Sequence, residues 1–222
     1  MIPSDVKALG EELRKAGIRF VVVGGKSLER KWFVGTMDID VAVTLKDYQL
    51  ALKRLRDHPR FRYIEDEETI AGSQFRHGTE WIDVEFINPK LFSGNRPPDD
   101  FIDYVRRHRS HADDGIVFAD PEVVWYMRLA APYWEAYVSK IARDVRAGVP
   151  PETLNRVLDM GRHFGNFETM SARVEQVRRM LGLLRTSSPS QDRPPRSTPA
   201  KPRGDPAGIR VRARRRGRSR RR

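Results

Sequence analysis

The stretch Val23-Gly24-Gly25-Lys26-Ser27, followed after eight residues by Thr36-Met37-Asp38-Ile39-Asp40-Val41, decides how this chain is read. An apolar run from Phe20 to Val23 ends in two glycines, and two carboxylates then sit one apart among apolar neighbours. Alternate side chains leave the same face of a strand, which rises ~3.3 Å per residue. Asp38 and Asp40 therefore project together while Ile39 and Val41 point into a core. Burying an unpaired carboxylate costs about several kcal/mol, so the pair needs basic partners or a divalent cation. The plainer alternative is a pair of exposed acids bonding loop backbone at a strand end.

Gly24 and Gly25 sit where a strand turns into a short helix, expected over Lys26 to Phe33. Without side chains, their backbone N–H groups can approach phosphate oxygens at a positive helix terminus. Lys26 would add a charge and Ser27 a hydroxyl donor. The spacing is not that of a Walker loop, because no four-residue gap precedes Gly-Lys-Ser. A tight turn with Lys26 in solvent is the alternative.

A third acid comes from Trp81-Ile82-Asp83-Val84-Glu85-Phe86, where alternation puts Asp83 and Glu85 on one face. Asp83 is preferred because it follows the strand's first apolar residues and should lie deeper; Glu85 is the close rival. Three such carboxylates can hold two Mg²⁺ ions ~3.5–4 Å apart, one activating an attacking hydroxyl and one steadying a triphosphate.

Residues 23–41 resemble the signature of the DNA polymerase β-like nucleotidyltransferase superfamily: an apolar residue, Gly-Gly or Gly-Ser, a spacer, then Asp-apolar-Asp-apolar. The Thr36-Met37 approach to the aspartates is similar too. The resemblance implies triphosphate contacts at Gly24, Gly25 and Ser27, with Lys26 and Thr36 beside them. It implies metal ligation by Asp38, Asp40 and Asp83, with Mg²⁺ as the cofactor and Mn²⁺ as a substitute. The implied fold is a short mixed sheet flanked by helices, over residues 1–118. The implied reaction passes a nucleoside monophosphate from an NTP to a hydroxyl of RNA, protein or a small molecule, releasing pyrophosphate.

Asp120 to Leu184 resembles the helical region of the small bacterial and archaeal members, including relatives of abortive-infection toxins. There a Lys and an Asp on a later helix support the nucleotide, and Lys140 and Asp144 occupy that spacing here. Their alternative is a surface i,i+4 ion pair worth a few tenths of a kcal/mol. Two departures stand out: the second glycine is not serine, and no Arg lies directly ahead of Thr36, leaving Arg30 or Lys31 to serve.

The remaining pattern predicts an α+β chain. Helices are expected from Ser4 or Asp5 to Gly17 and over Lys46–Asp57 and Asp100–His108. Strands are expected at Ile18–Val23, Met37–Val43, Phe61–Glu65, Ile70–Arg76, Glu80–Ile87 and Ile116–Phe118, with a hairpin through His77-Gly78-Thr79. A helical region, 119–185, opens at Asp120-Pro121, breaks at Pro132, and continues over Tyr133–Val145, Glu152–His163 and a stretch capped by Asn166. His108, His111, Asp113 and Asp114 read as solvated loop residues. Trp125, Tyr126, Trp134 and Tyr137 read as core or interface residues, with base stacking as the alternative.

From 186 to 222 the chain carries 13 Lys and Arg against 2 acids, so all but about one of its net +12 charges sits there. With six prolines and few large apolar residues, this segment is expected to be a disordered basic tail. Such a tail associates with nucleic acid through counterion release. The chain has no cysteine, which excludes disulfides, thiolate zinc sites and cysteine nucleophiles. Met-Ile-Pro-Ser-Asp is no signal peptide and no apolar run could span a bilayer, so a cytoplasmic protein with no membrane partner is expected. Two rivals to the transferase reading remain: a catalytically silent nucleotide-binding module of the same fold, and a nucleic-acid-binding protein whose acids are structural.

Overall fold

The computed structural model describes residues 2–29, 31–32, 36–55, 58–64 and 72–182. Contacts divide the chain into residues 1–185 and 186–222, and the expected basic tail lies outside the described residues. Within the first unit, helix α1 (Ser4–Lys15) buries Val6, Leu9 and Leu13, the one-face spacing that an amphipathic helix requires. Gly17 takes the left-handed conformation after it, and the Ile18 N–H returns to the Leu13 carbonyl at 2.9 Å. Strand β1 (Phe20–Val23) follows, buried throughout, as its β-branched run predicts. Helix α2 (Gly24–Glu29) starts at the glycines, and β2 (Ile39–Val43) pairs back antiparallel on β1.

Helix α3 (Leu45–Leu55) leads to β3 (Phe61–Ile64), β4 (Gly72–His77) and β5 (Glu80–Ile87). His77 pairs with Glu80 across Gly78-Thr79, the expected hairpin. Helix α4 (Pro98–His108) opens with Pro at its first position, two residues earlier than the sequence suggests. Next come β6 (Ser110–Asp113) and β7 (Ile116–Ala119). Strand β6 corrects the loop expected there. Asp114 and Gly115 both have positive φ, 47° and 73°, the two-residue turn whose twist suits a hairpin.

Among the described residues, seven strands form one mixed sheet in the order β3-β4-β5-β2-β1-β7-β6. The β1–β7 and β2–β5 pairs are parallel and the others antiparallel. Helices α5 (Pro121–Ala130), α6 (Val138–Arg146), α7 (Thr153–Phe164) and α8 (Phe167–Met180) complete the described unit. Ala131, extended before Pro132, ends α5 as expected. Residues 134–137 form a separate 3₁₀ turn, so the single helix expected over 133–145 begins only at Val138. No described helix is long and apolar enough to cross a membrane.

Strand alternation divides the core in two. Val22, Ile39, Val41, Val84, Phe86 and Phe118 meet α1 on one face, with Tyr48 and Leu50 of α3 packed alongside. Val21, Val23, Ala42 and Ile87 meet Leu28 of α2 and the apolar faces of α4 to α8 on the other. Asp40 and Glu85 share the parity of Ala42 and Ile87, so both belong to the second face.

Candidate active site

Asp40 occupies a node of the sheet. Its Cα partner in β1 is Val23, the residue before the diglycine bend, and its partner in β5 is Glu85. Gly24 has φ +63°, a left-handed conformation that favours glycine. A Cβ there would also overlap the Asp40 carboxylate, so the missing side chain is what lets that acid lie over the bend. A Cβ on Gly25 would stand 2.7 Å from Thr36 Cγ2. The two glycines thus receive Asp40 and Thr36 respectively. Sequence spacing of about a dozen residues becomes direct contact because β2 folds back antiparallel on β1.

The carboxylates are arranged differently from expectation. Asp38 is exposed ahead of β2. Asp83 is exposed as well and accepts a hydrogen bond from Gln74 Nε2 of β4 at 2.8 Å. Glu85 is half-buried beside Asp40. The expectation that Asp83 lies deeper is therefore reversed: β5 becomes buried towards its C-terminal end, where β2 pairs with Val84–Ile87, whereas Asp83 has a strand partner only in β4. Burial, then the charges of Glu85 and Asp38, push the Asp40 carboxyl up to about 7, partly offset by Lys140 and Arg128. Among the described residues, no three His, Asp or Glu side chains stand close enough together to hold a metal ion. The donor set suits a hard divalent cation in its chemistry, all-oxygen and under mutual repulsion, without forming a closed coordination shell.

Two of the residues expected to touch phosphate have other partners. Lys26 is buried, with its ammonium 3.1 Å from Asp5 of α1 and 3.3 Å from Glu29. Those two carboxylates account for it, which corrects the reading of a free phosphate charge. The buried Ser27 hydroxyl donates to the Gly24 carbonyl at 2.9 Å, fastening the first turn of α2.

Lys140 and Asp144 do not act as a surface pair. Lys140 is exposed, with its ammonium 5.2 Å from the Tyr137 ring centroid, and its charge reaches Asp40. Asp144 is fully buried; it accepts from Trp125 Nε1 at 3.0 Å and forms an ion pair with Arg128. One oxygen of its carboxylate thus holds Arg128 and Trp125, while the other has no hydrogen-bond partner among the described residues. Arg128, itself buried, is the residue the sequence reading missed, and its charge, like that of Lys140, lowers the Asp40 pKa. The signal was present in the single Arg of the otherwise apolar run Val-Val-Trp-Tyr-Met-Arg-Leu-Ala, which needs a carboxylate partner if buried.

No protein-family model and no curated protein matches this chain. Among solved structures, a candidate nucleotidyltransferase from H. pylori aligns at 11% identity and a TM-score of 0.37, over 81% of this chain and 98% of that one. The protein JHP933 from Helicobacter pylori aligns at 9% identity and a TM-score of 0.35, over 82% of this chain and 96% of that one. Likenesses this loose bear on neither activity nor ligands.

Proposed function

We propose that the chain is a divalent-metal-dependent nucleotidyltransferase that passes a nucleoside monophosphate from an NTP to an acceptor hydroxyl. The observation that carries this reading is the placement of Asp40, in register with Glu85 on one side and lying against Gly24 on the other. A negatively charged pair beside an open backbone bend, faced by Arg128 and Lys140, suits a reaction that handles phosphate charge. Asp40 and Glu85 would hold Mg²⁺, with Asp38 joining them only on closing around the ion and Asp83 displaced from that role by its exposure and its bond to Gln74. When bound there, the cation neutralises the transferring phosphoryl group and lowers the pKa of the acceptor hydroxyl.

The chain's own groups carry the remaining steps. The acceptor oxygen bonds to the α-phosphorus, the bond to the α,β-bridging oxygen breaks, and pyrophosphate leaves. A carboxylate of the Asp40–Glu85 pair takes the hydroxyl proton. Arg128, oriented by Asp144, and Lys140 offset charge as it moves onto the leaving pyrophosphate. The absence of a closed acid cluster among the described residues favours a second reading, a module that binds nucleotide without turnover. Incubating the full chain with Mg²⁺, each of the four α-labelled NTPs, total RNA and cell protein separates the two. Label on an acceptor, lost with Asp40→Asn, supports transfer. Metal-dependent NTP binding with no pyrophosphate release supports the silent module.

A further inference from the structure

A cavity of about 680 Å³, whose lining includes neither Asp40 nor Glu85, is walled by Ser27 of α2, the residues that follow that helix, the β6–β7 hairpin and the starts of α5 and α7. Its size falls in the range of small-molecule sites, ~300–1,000 Å³. We propose that this cavity binds a nucleotide-class ligand, a planar base carrying a phosphate, at a site separate from the acid pair. The proposal does not depend on the transferase reading.

The lining carries the argument. Trp32 supplies an aromatic wall with its indole edge against the α6–α7 turn, where a Cβ on Gly148 would sit 3.4 Å from Trp32 Cδ1. Aromatic faces stack planar bases regardless of sequence, worth ~1–3 kcal/mol per base. Lys31 and Arg156 bring two cations to the same space, the first with its ammonium over the Trp32 ring, 4.8 Å from its centroid, so a base stacking on that face displaces it towards the phosphate. Arg156 is largely exposed and only loosely engaged, 3.7 Å from Glu122, which already pairs with Arg109 at 3.3 Å. A guanidinium so placed can take phosphate oxygens as a fork.

Asp120 provides the complementary acceptor. It stands at the N-cap of α5, yet its side chain makes no capping hydrogen bond. Its carboxylate meets His111 Nδ1 at 3.2 Å instead, and both residues line the cavity. A cap bond ordinarily stabilises a helix by about 1 kcal/mol, so the carboxylate is turned away from its usual local partner. With Glu152 it offers acceptors for an exocyclic amine or ribose hydroxyls. Ser27 belongs to the same wall, one helical turn from the diglycine bend, so an occupant would touch the element that carries Gly24.

The test is calorimetric titration of AMP, GMP, CMP and UMP into the full chain in EDTA, which keeps divalent cations from the acids. At least one nucleotide should bind, at least tenfold more weakly to Arg156→Glu and Trp32→Leu and equally to Asp40→Asn. Arg156 is exposed, so Arg156→Glu should keep its far-ultraviolet circular dichroism and carry the test alone if Trp32→Leu unfolds. Three outcomes would overturn the proposal: no binding at millimolar concentration, weakening by Asp40→Asn with none by Arg156→Glu, or inorganic phosphate binding as tightly as the nucleotides.

Discussion

The two faces of the central sheet are built from the same strands and have opposite characters. On one, Ile39, Val41, Val84 and Phe86 close against α1, and none of these strand positions carries a charge. On the other, Asp40 and Glu85 project from the same two strands towards helices that bury Arg128 and Asp144. An apolar face gains stability from each residue it covers, roughly 25 cal/mol per Å². A face that buries like charges side by side gives some of that up. Such local sacrifice is what a site built for a ligand shows, whereas a layer that only holds the fold has no reason for it.

The contrast is broken most severely by removing the Asp40 charge. Asp40→Asn should reduce transfer by about 10³-fold or more in the labelled-NTP assay, the scale of losing a principal transition-state contact. It should also raise the melting temperature of the metal-free protein, because the repulsion from Glu85 and Asp38 is relieved. Loss of activity with gain of stability is the signature of the charged face. Leu13→Ala on the other side should cost about 2–5 kcal/mol of stability and leave the rate of the folded fraction unchanged.

Asp144→Ala comes next. It strands the Arg128 guanidinium and removes the acceptor of Trp125 Nε1, so urea denaturation should report a loss of about 3–5 kcal/mol. The double variant Arg128→Met, Asp144→Leu should recover much of that loss, because an apolar pair can replace a buried ion pair. Transfer should stay impaired in the double variant, since the cation facing Asp40 is gone. Recovery of both would make the pair a purely structural one.

A smaller effect separates the two acids of β5. Glu85→Gln should cost about 10²-fold in transfer. Asp83→Asn, whose group is exposed and bonded to Gln74, should stay within a few-fold. The reverse order would restore the expectation drawn from the strand's apolar pattern.

What could be read in advance follows a physical boundary. The Phe20–Val23 run, the Ile39/Val41 alternation and the hairpin at Gly78 are local patterns, and a local pattern survives folding, whereas Asp38 falls just ahead of the strand expected to carry it. The β6 strand was also legible in Asp114-Gly115, a strong two-residue hairpin signal, but Ser-His-Ala-Asp has none of the β-branched content that marks a strand. The relative depth of Asp83 and Glu85 was not local. It depends on β5 lying between β2 and β4, a neighbour relation that alternation does not contain. Lys26 with Asp5, and Arg128 with Asp144, likewise pair across elements that only the assembled unit brings together.

The mildest test sharpens the comparison through pH. Asp40 titrates near 7 when folded, against an ordinary value of 3.8. Below about pH 4 the group is protonated in both folded and unfolded chains. Between about 4 and 7 the unfolded chain has released this proton while the folded one retains it, so the folded state loses ground as pH rises. Each unit of separation is worth about 1.4 kcal/mol, and relaxation of the half-buried pair should leave a fall on the order of 1–3 kcal/mol. Stability measured in EDTA from pH 4 to 8, with Asp40→Asn subtracted, isolates this contribution from the other acids. The difference curve should fall across that window and flatten above pH 7, and Mg²⁺ should lift the upper end if the acids bind it. A flat difference curve would mean that Asp40 feels neither Glu85 nor burial, and the charged face would then be no costlier than the apolar one.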